Sequence, residues 1–433
     1  MAGNFGIASK RDCVKDLFRG IFYLQHRAQD YCGLFINNGG VFDWGTHKGL
    51  LRQQFPKEVL EGWRGNYGMG SVAGCRQPVT ELSKSGGMIL GFDGNLVNHA
   101  ELKDSLLKSG KTFSGYCDPE YVNDVEIVSK IISSEGSFES GIERLVESIQ
   151  GDFAIIAMKR DGIYAARGWG RKPLVIGERE DAYAVSSESN SFPNTGFRIS
   201  RDVQPGEIVF IDNEGVGTIK QLDLKPIRFG TFEWIYTSHP ASIIDGRSVS
   251  GVREKLGAAL AKRFPVEADL VSPIPNSGRW HAMGYAQASG IPYTEVFVRY
   301  DYSDRSYTPS EQNARDEEAE TKLIPVREKV KGKKIVVIDD SIVRGTQMLN
   351  RVKVLTDLGA KEVHARIACP PLMHACKYGK TTKKDEDCIA RRMSIEDIKI
   401  EMRLKSIGYA TVKDLEKATG LPRDQLCLEC WLE

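Results

Sequence analysis

Residues 335–346 read IVVIDDSIVRGT, and this run constrains the fold more than any other in the chain. Ile335, Val336, Val337 and Ile338 are consecutive β-branched residues with no polar alternation, so the strand they form is expected to be covered on both faces, as in a parallel sheet. Asp339 and Asp340 stand at its C-terminal end, and a loop with Ser341, Arg344, Gly345 and Thr346 leads into a helix. Ligands of open parallel sheets bind at such strand ends. The loop amides at the helix start form an anion site that suits a phosphate monoester, and two carboxylates suit the paired hydroxyls of a ribose. Ser341, Thr346 and the amides near Arg344 and Gly345 would then hold a 5-phosphate. A second strand end, Pro273-Ile274-Pro275-Asn276-Ser277-Gly278-Arg279, also runs into a glycine turn and a helix.

Around these motifs the second half alternates helix and buried strand: helix over 252–263, strand over 268–273, helix over 281–289, a short strand over 296–298 and helix over 347–358. The first 225 residues or so differ. Glycine turns such as Gly39-Gly40, Asp93-Gly94 and Asp161-Gly162 separate short β-rich runs, among them 151–158, 163–166, 173–176, 182–186 and 207–211. Helices are expected at 14–27 and 122–134, packed on sheets. The whole is read as a two-domain chain of α/β and α+β type, divided into 1–225 and 226–433, which the 433-residue length accommodates.

Charge excludes some functions. Lys plus Arg number 59 and Asp plus Glu 58, so no overall field favours nucleic acid or a membrane surface. No apolar stretch approaches a membrane span, and the N-terminus lacks a signal or transit pattern, which makes the cytoplasm the expected location. Nine cysteines, an odd number, argue for reduced thiols or a metal site over a disulfide framework. Five of them, Cys369, Cys376, Cys388, Cys427 and Cys430, crowd the C-terminal end.

The run 335–346 resembles the signature of type I phosphoribosyltransferases, which bind phosphoribosyl pyrophosphate (PRPP). Other segments extend the resemblance over the whole chain to the glutamine PRPP amidotransferases: residues 24–30 (LQHRAQD), Gly94-Asn95-Leu96, 167–174 (RGWGRKPL), Ser187-Glu188, 202–208 (DVQPGEI) and 232–236 (FEWIY). The resemblance implies an N-terminal αββα sandwich of the N-terminal-nucleophile glutaminase type, followed by a phosphoribosyltransferase parallel-sheet domain. It implies that PRPP and Mg2+ meet Asp339 and Asp340, that Ser277, Gly278 and Arg279 belong to a pyrophosphate loop, and that ammonia displaces pyrophosphate to give 5-phosphoribosylamine. Residues 298–322 look like the family's flexible loop, with Arg299 where Lys is usual and Arg305 in the segment RSYTP; both are expected to serve the reaction. A homodimer or tetramer is implied as well.

The glutamine site departs from the family. A nucleophile with its own α-amine as base belongs at residue 2, in a pattern CGxxGI, and this chain has Ala2. The oxyanion-hole motif HNGN is Phe92-Asp93-Gly94-Asn95, a carboxylate in place of an amide donor. The stretch GHxRYSTxG, with its substrate-anchoring Arg, is reduced to Gly70-Ser71-Val72-Ala73-Gly74-Cys75. Asp124 matches the acid that receives the substrate amine. An engineered Cys-to-Ala change and natural loss both account for Ala2; three separate departures favour natural loss. The reading is a phosphoribosyltransferase that uses ammonia or another small amine. The alternative is a non-catalytic PRPP-binding regulatory subunit, favoured by Asn276 and Arg299 where the family has Asp and Lys.

Part of the family carries a [4Fe-4S] cluster. Cys376, Cys427 and Cys430 match three of its ligands, Gly230 stands at the fourth position, and Cys369 is the expected substitute, with Cys388 as the other candidate. Four thiolates suit a cubane or, alternatively, zinc.

Overall fold

The computed structural model describes residues 1–84, 86–114, 122–300, 323–379, 382 and 384–431. The chain forms two compact units, one made of Met1–Gly230, Ala241–Gly246 and Lys377–Lys380, the other of Thr231–Pro240, Arg247–Cys376 and Thr381–Glu433.

In the first unit, two antiparallel sheets of seven and six strands lie face to face. The strand Ala2–Ser9 sits inside the seven-stranded sheet, bonded on one side to Tyr67–Ala73 and on the other to Ala182–Ser186. All eight of its residues are buried, because alternate side chains meet different layers. Phe5 and Ile7 pack with Leu17 and Ile21 of the helix Val14–Phe22, whereas Ala8 joins Ile156 and Val209 between the sheets. On the far face of the second sheet, helices Asp124–Ser133 and Phe138–Ser148 pack against Leu90, Ile155 and Ile208. The result is a four-layer αββα sandwich, the architecture the resemblance implied.

The expected helix over 14–27 ends at Phe22. Leu24, Gln25 and Arg27 bond back to Ile21, Phe22 and Leu24, a series of tight turns in place of further α-helix. The strand expected from Pro173 begins at Val175, two residues beyond the proline, which has no N–H to donate to a ladder. Residues 151–158, 182–186 and 207–211 form strands as expected.

The second unit holds a four-stranded parallel sheet in the order Leu270–Pro273, Lys334–Asp339, Glu362–Ile367, Ser406–Tyr409. Ile335, Val336, Val337 and Ile338 are fully buried, so both faces of that strand are covered. Helices Val249–Arg263, Arg279–Ser289 and Thr346–Asp357 surround the sheet. Phe297–Arg299 lies apart from it, paired with Leu323–Pro325 as a two-stranded ribbon. Glu233–Thr237, which overlaps the FEWIY motif, is a helical turn. Among the described residues no helix is long and apolar enough to cross a membrane.

Candidate active sites

The strands Leu270–Pro273 and Lys334–Asp339 run parallel in a register that sets Pro273 beside Ile338, so their C-terminal loops leave the same edge. The Ile274 N–H donates to Ile338 O at 2.8 Å, and the Gly278 N–H donates to Ile274 O at 2.9 Å. A Cβ on Gly278 would stand 2.3 Å from Ile338 O, so only glycine lets the first loop lie this close to the second strand. Ser277 Oγ reaches toward Asp339 Oδ1 at 3.4 Å, which brings the two predicted loops together.

Asp339 also accepts the Asp340 N–H at 2.9 Å, and Ser341 Oγ donates to Asp340 Oδ2 at 2.6 Å. Burial, and then the Asp340 charge beside it, push the Asp339 carboxyl well above its ordinary range. Two acids held this close favour a ligand that supplies hydroxyl protons or a cation. They fit Mg2+ of the kind that binds through one or two carboxylates and substrate phosphates. Gly345, at φ +88°, turns the chain into the helix Thr346–Asp357, whose free N-terminal amides face the loop.

The arginines of the two loops are each engaged by a carboxylate. The Arg344 guanidinium donates to both oxygens of Asp387, at 3.0 and 2.9 Å. Arg279 is bonded to both oxygens of Glu295, at 2.8 and 3.1 Å. Neither partner carboxylate was legible from the motifs. Arg299 ends its ribbon strand opposite Leu323, and Arg305 falls in 301–322, outside the described residues.

In the first unit, Ala2 lies at the start of its strand, 1% exposed. Its N–H donates to Asp93 Oδ1 at 2.9 Å, and its carbonyl accepts from Arg27 Nε at 2.7 Å. Arg27 also donates to Asp93 Oδ2 at 2.8 Å and to Glu188 Oε1 at 2.6 Å. His26 Nε2 meets Glu188 Oε1 at 2.8 Å, and Ser242 Oγ donates to Glu188 Oε2 at 2.7 Å. Burial alone would raise Asp93, but Lys172, Arg27 and the chain's amino group outweigh it and hold the carboxyl at about 2. Glu188, likewise buried, is held below its ordinary range by His26 and Arg27. Gly94 follows Asp93 in the strand Gly86–Leu96, opposite Phe153. Asp124, the surviving acid, is engaged by His99 Nδ1 at 2.7 Å.

Residues 69–194 match the family model described as a glutamine amidotransferase domain. The amidophosphoribosyltransferase of Methanocaldococcus jannaschii is 34% identical, over 99% of this chain and 96% of its own length. The chain belongs to the amidophosphoribosyltransferase family. The Bacillus subtilis amidophosphoribosyltransferase is 33% identical, covering 99% of this chain and 92% of its own. The solved glutamine PRPP amidotransferase from B. subtilis, complexed with ADP and GMP, superimposes with a TM-score of 0.91 at 32% identity, covering 99% of this chain and 96% of that one. A structure described as the allosteric regulatory enzyme of purine biosynthesis gives 0.90 at 32% identity. As a member of the amidophosphoribosyltransferase family, this chain is a PRPP-dependent enzyme of that kind, and its two folds are the glutaminase and phosphoribosyltransferase folds.

The motifs do not single out Arg27 and Glu188, which hold the residues around Ala2 together. Both stood inside quoted motifs, yet their contact joins positions 161 residues apart and no local pattern reveals it.

The family's cluster ligands need a separate test. Cys430 O accepts the N–H groups of Met373 and His374, at 2.9 and 3.3 Å, which ties the C-terminal CxxC to the segment before Cys376. Burial, and then Cys376 and Cys427, push the Cys430 thiol up. Cys369 is pushed up by burial and then by Asp340. The thiol chemistry suits iron and sulfide or zinc. Among the described residues, however, no three or more His, Cys, Asp or Glu side chains are gathered as a metal cage. Among the described residues, Cys369, Cys376, Cys388, Cys427 and Cys430 form no disulfide.

Proposed function

We propose that this chain transfers ammonia, or another small amine, to C1 of PRPP and no longer hydrolyses glutamine. The observation that carries the second half is Ala2 itself: its N–H is bonded to the Asp93 carboxylate, and Arg27 spans Asp93 and Glu188. Acyl transfer from glutamine needs a thiol at residue 2 and neutral donors around the developing oxyanion. Here a methyl group and an ionised carboxylate stand at those positions.

In the transfer, the amine nitrogen attacks C1, the C1–O bond breaks, and the electron pair leaves with pyrophosphate while the nitrogen loses a proton. Asp339 and Asp340 receive the ribose hydroxyls, the amides of 341–346 hold the 5-phosphate, and the loop with Ser277, Gly278 and Arg279 holds the pyrophosphate. Asp339 and Asp340 would hold Mg2+, which would supply charge neutralisation for the leaving group. A general base is not required of the protein when the amine arrives deprotonated. Arg299 and Arg305 are proposed to close over the bound substrate. Family membership further supports a homodimer or tetramer and a cluster on Cys376, Cys427 and Cys430 with Cys369 or Cys388.

The deciding experiment follows pyrophosphate release from PRPP with ammonium at high pH, and glutamate release from glutamine. Pyrophosphate release without glutamate is the expected result; glutamate release ends the reading. Asn276 and Arg299 favour a second reading, a regulatory PRPP-binding subunit, which tight PRPP binding with no turnover would support.

A further inference from the structure

We infer that Asp387 is a positioning residue for the 5-phosphate loop; the inference rests on the PRPP reading above. Three contacts converge on that loop from the short turn Asp385–Asp387 and the residues that follow it. The Asp387 carboxylate accepts both hydrogen bonds of the Arg344 fork, at 3.0 and 2.9 Å. The Ile389 N–H donates to Val343 O at 2.8 Å. Ile389 Cδ1 lies 2.8 Å from where a Cβ on Gly345 would stand, so its side chain fills the space beneath that glycine.

The brace is itself fixed. Asp385 Oδ1 accepts the Ala375 N–H at 2.9 Å, and Asp385 Oδ2 meets His374 Nδ1 at 2.9 Å and Arg391 at 3.3 Å. Residues 343, 344 and 345 are thereby held at carbonyl, side chain and α-carbon by one neighbouring segment. An anion nest of backbone amides binds only when successive N–H groups converge on one point, and a bidentate Arg–carboxylate pair adds the geometric constraint a single bond lacks. Arg344 therefore serves the phosphate indirectly: its side chain, pulled outward by Asp387, leaves the loop amides turned inward.

Loss of the carboxylate lets the loop leave its binding geometry, and apparent affinity falls with the fraction of molecules still competent. The test compares two probes on the full chain: ribose 5-phosphate, which reports the 341–346 loop, and magnesium pyrophosphate, which reports the 273–279 loop. In Asp387→Asn, the ribose 5-phosphate Kd is expected to rise about tenfold, as for a loop competent about a tenth of the time, with pyrophosphate affinity and Tm unchanged. Asp387→Glu should recover most of the loss, and Arg344→Ala in the Asp387→Asn background should add little. Unchanged or tighter ribose 5-phosphate binding in Asp387→Asn overturns the inference, the tighter case because it makes Asp387 a competitor for the phosphate. An equal loss for both probes also overturns it, as general destabilisation. A native chain that binds neither probe overturns the PRPP reading itself.

Discussion

The Ala2 N–H points at Asp93 Oδ1 from 2.9 Å, so the residue at the nucleophile position is bonded to the residue at the oxyanion position. In an active glutaminase those two positions face a substrate carbonyl from different sides. Here they satisfy each other, and Arg27 seals the arrangement from below through Ala2 O and Asp93 Oδ2.

Restoring the thiol alone should therefore fail. Ala2→Cys is expected to show at most a trace of glutamate release, because Asp93 still opposes a developing negative charge. Ala2→Cys with Asp93→Asn should exceed the single variant by roughly a hundredfold, the worth of one oxyanion donor. Glutamate production measured on both proteins checks this.

Arg27 is expected to be among the most costly side chains to remove from the first unit. It is 3% exposed and joins two carboxylates that are themselves buried. Removing one partner of a buried ion pair leaves uncompensated charge, at a cost of about 3–5 kcal/mol. Arg27→Met should lower the thermal midpoint of the first unit, while Arg27→Met with Asp93→Asn and Glu188→Gln should recover much of it.

The same pair sets an acid limit. Asp93 titrates at about 2 in the folded chain and Glu188 below its ordinary range, both depressed by their cationic neighbours. The unfolded chain takes up these protons first, at ordinary carboxylate pKa values of about 4. Their contribution to stability is thus present in full above that range and is lost as pH falls through it toward 2. Urea midpoints measured from pH 5 downward should drop steeply, and Asp93→Asn should flatten the slope.

On the phosphate side, Asp339→Asn and Asp340→Asn should each weaken PRPP binding by roughly ten- to a hundredfold, the range for hydrogen bonds to a charged group. Equilibrium dialysis with labelled PRPP measures it. Both variants should fold normally, since the fully buried side chains of Ile335–Ile338 supply the packing of that strand.

Iron analysis of anaerobically purified protein addresses the C-terminal thiols. Iron and acid-labile sulfide with visible absorbance are expected, and Cys430→Ser should remove them. Colourless protein free of iron would end the cluster reading.

The residues differ in how far they could be read in advance. The buried strand at 335–338, the acids that follow it and the helix from Thr346 are legible because each rests on local chemistry: β-branched residues without alternation, carboxylates at a strand end, a glycine before a helix. The strands at 151–158 and 182–186 are legible for the same reason. The helix expected over 14–27 stops at Phe22, because the apolar spacing continues past that residue while the helical backbone does not. The bend at 23–27 coincides with the delivery of His26 and Arg27 to Glu188, 161 or more positions away.

By itself the sequence determined which groups this protein possesses: a strand that has to be covered on both faces, two acids at its end, and no nucleophile at residue 2. Only the tertiary structure decided what those groups face. Asp93 could be read as a lost amide donor, yet its being bonded to Ala2 and Arg27 depends on two sheets stacked face to face. The amides near Arg344 could be read as an anion site, but nothing in the motif shows that Asp387 holds the Arg344 side chain. The reason is physical: backbone preference and periodicity act over a few residues, whereas a buried charge is settled by whichever opposite charge the folded chain brings within hydrogen-bonding distance.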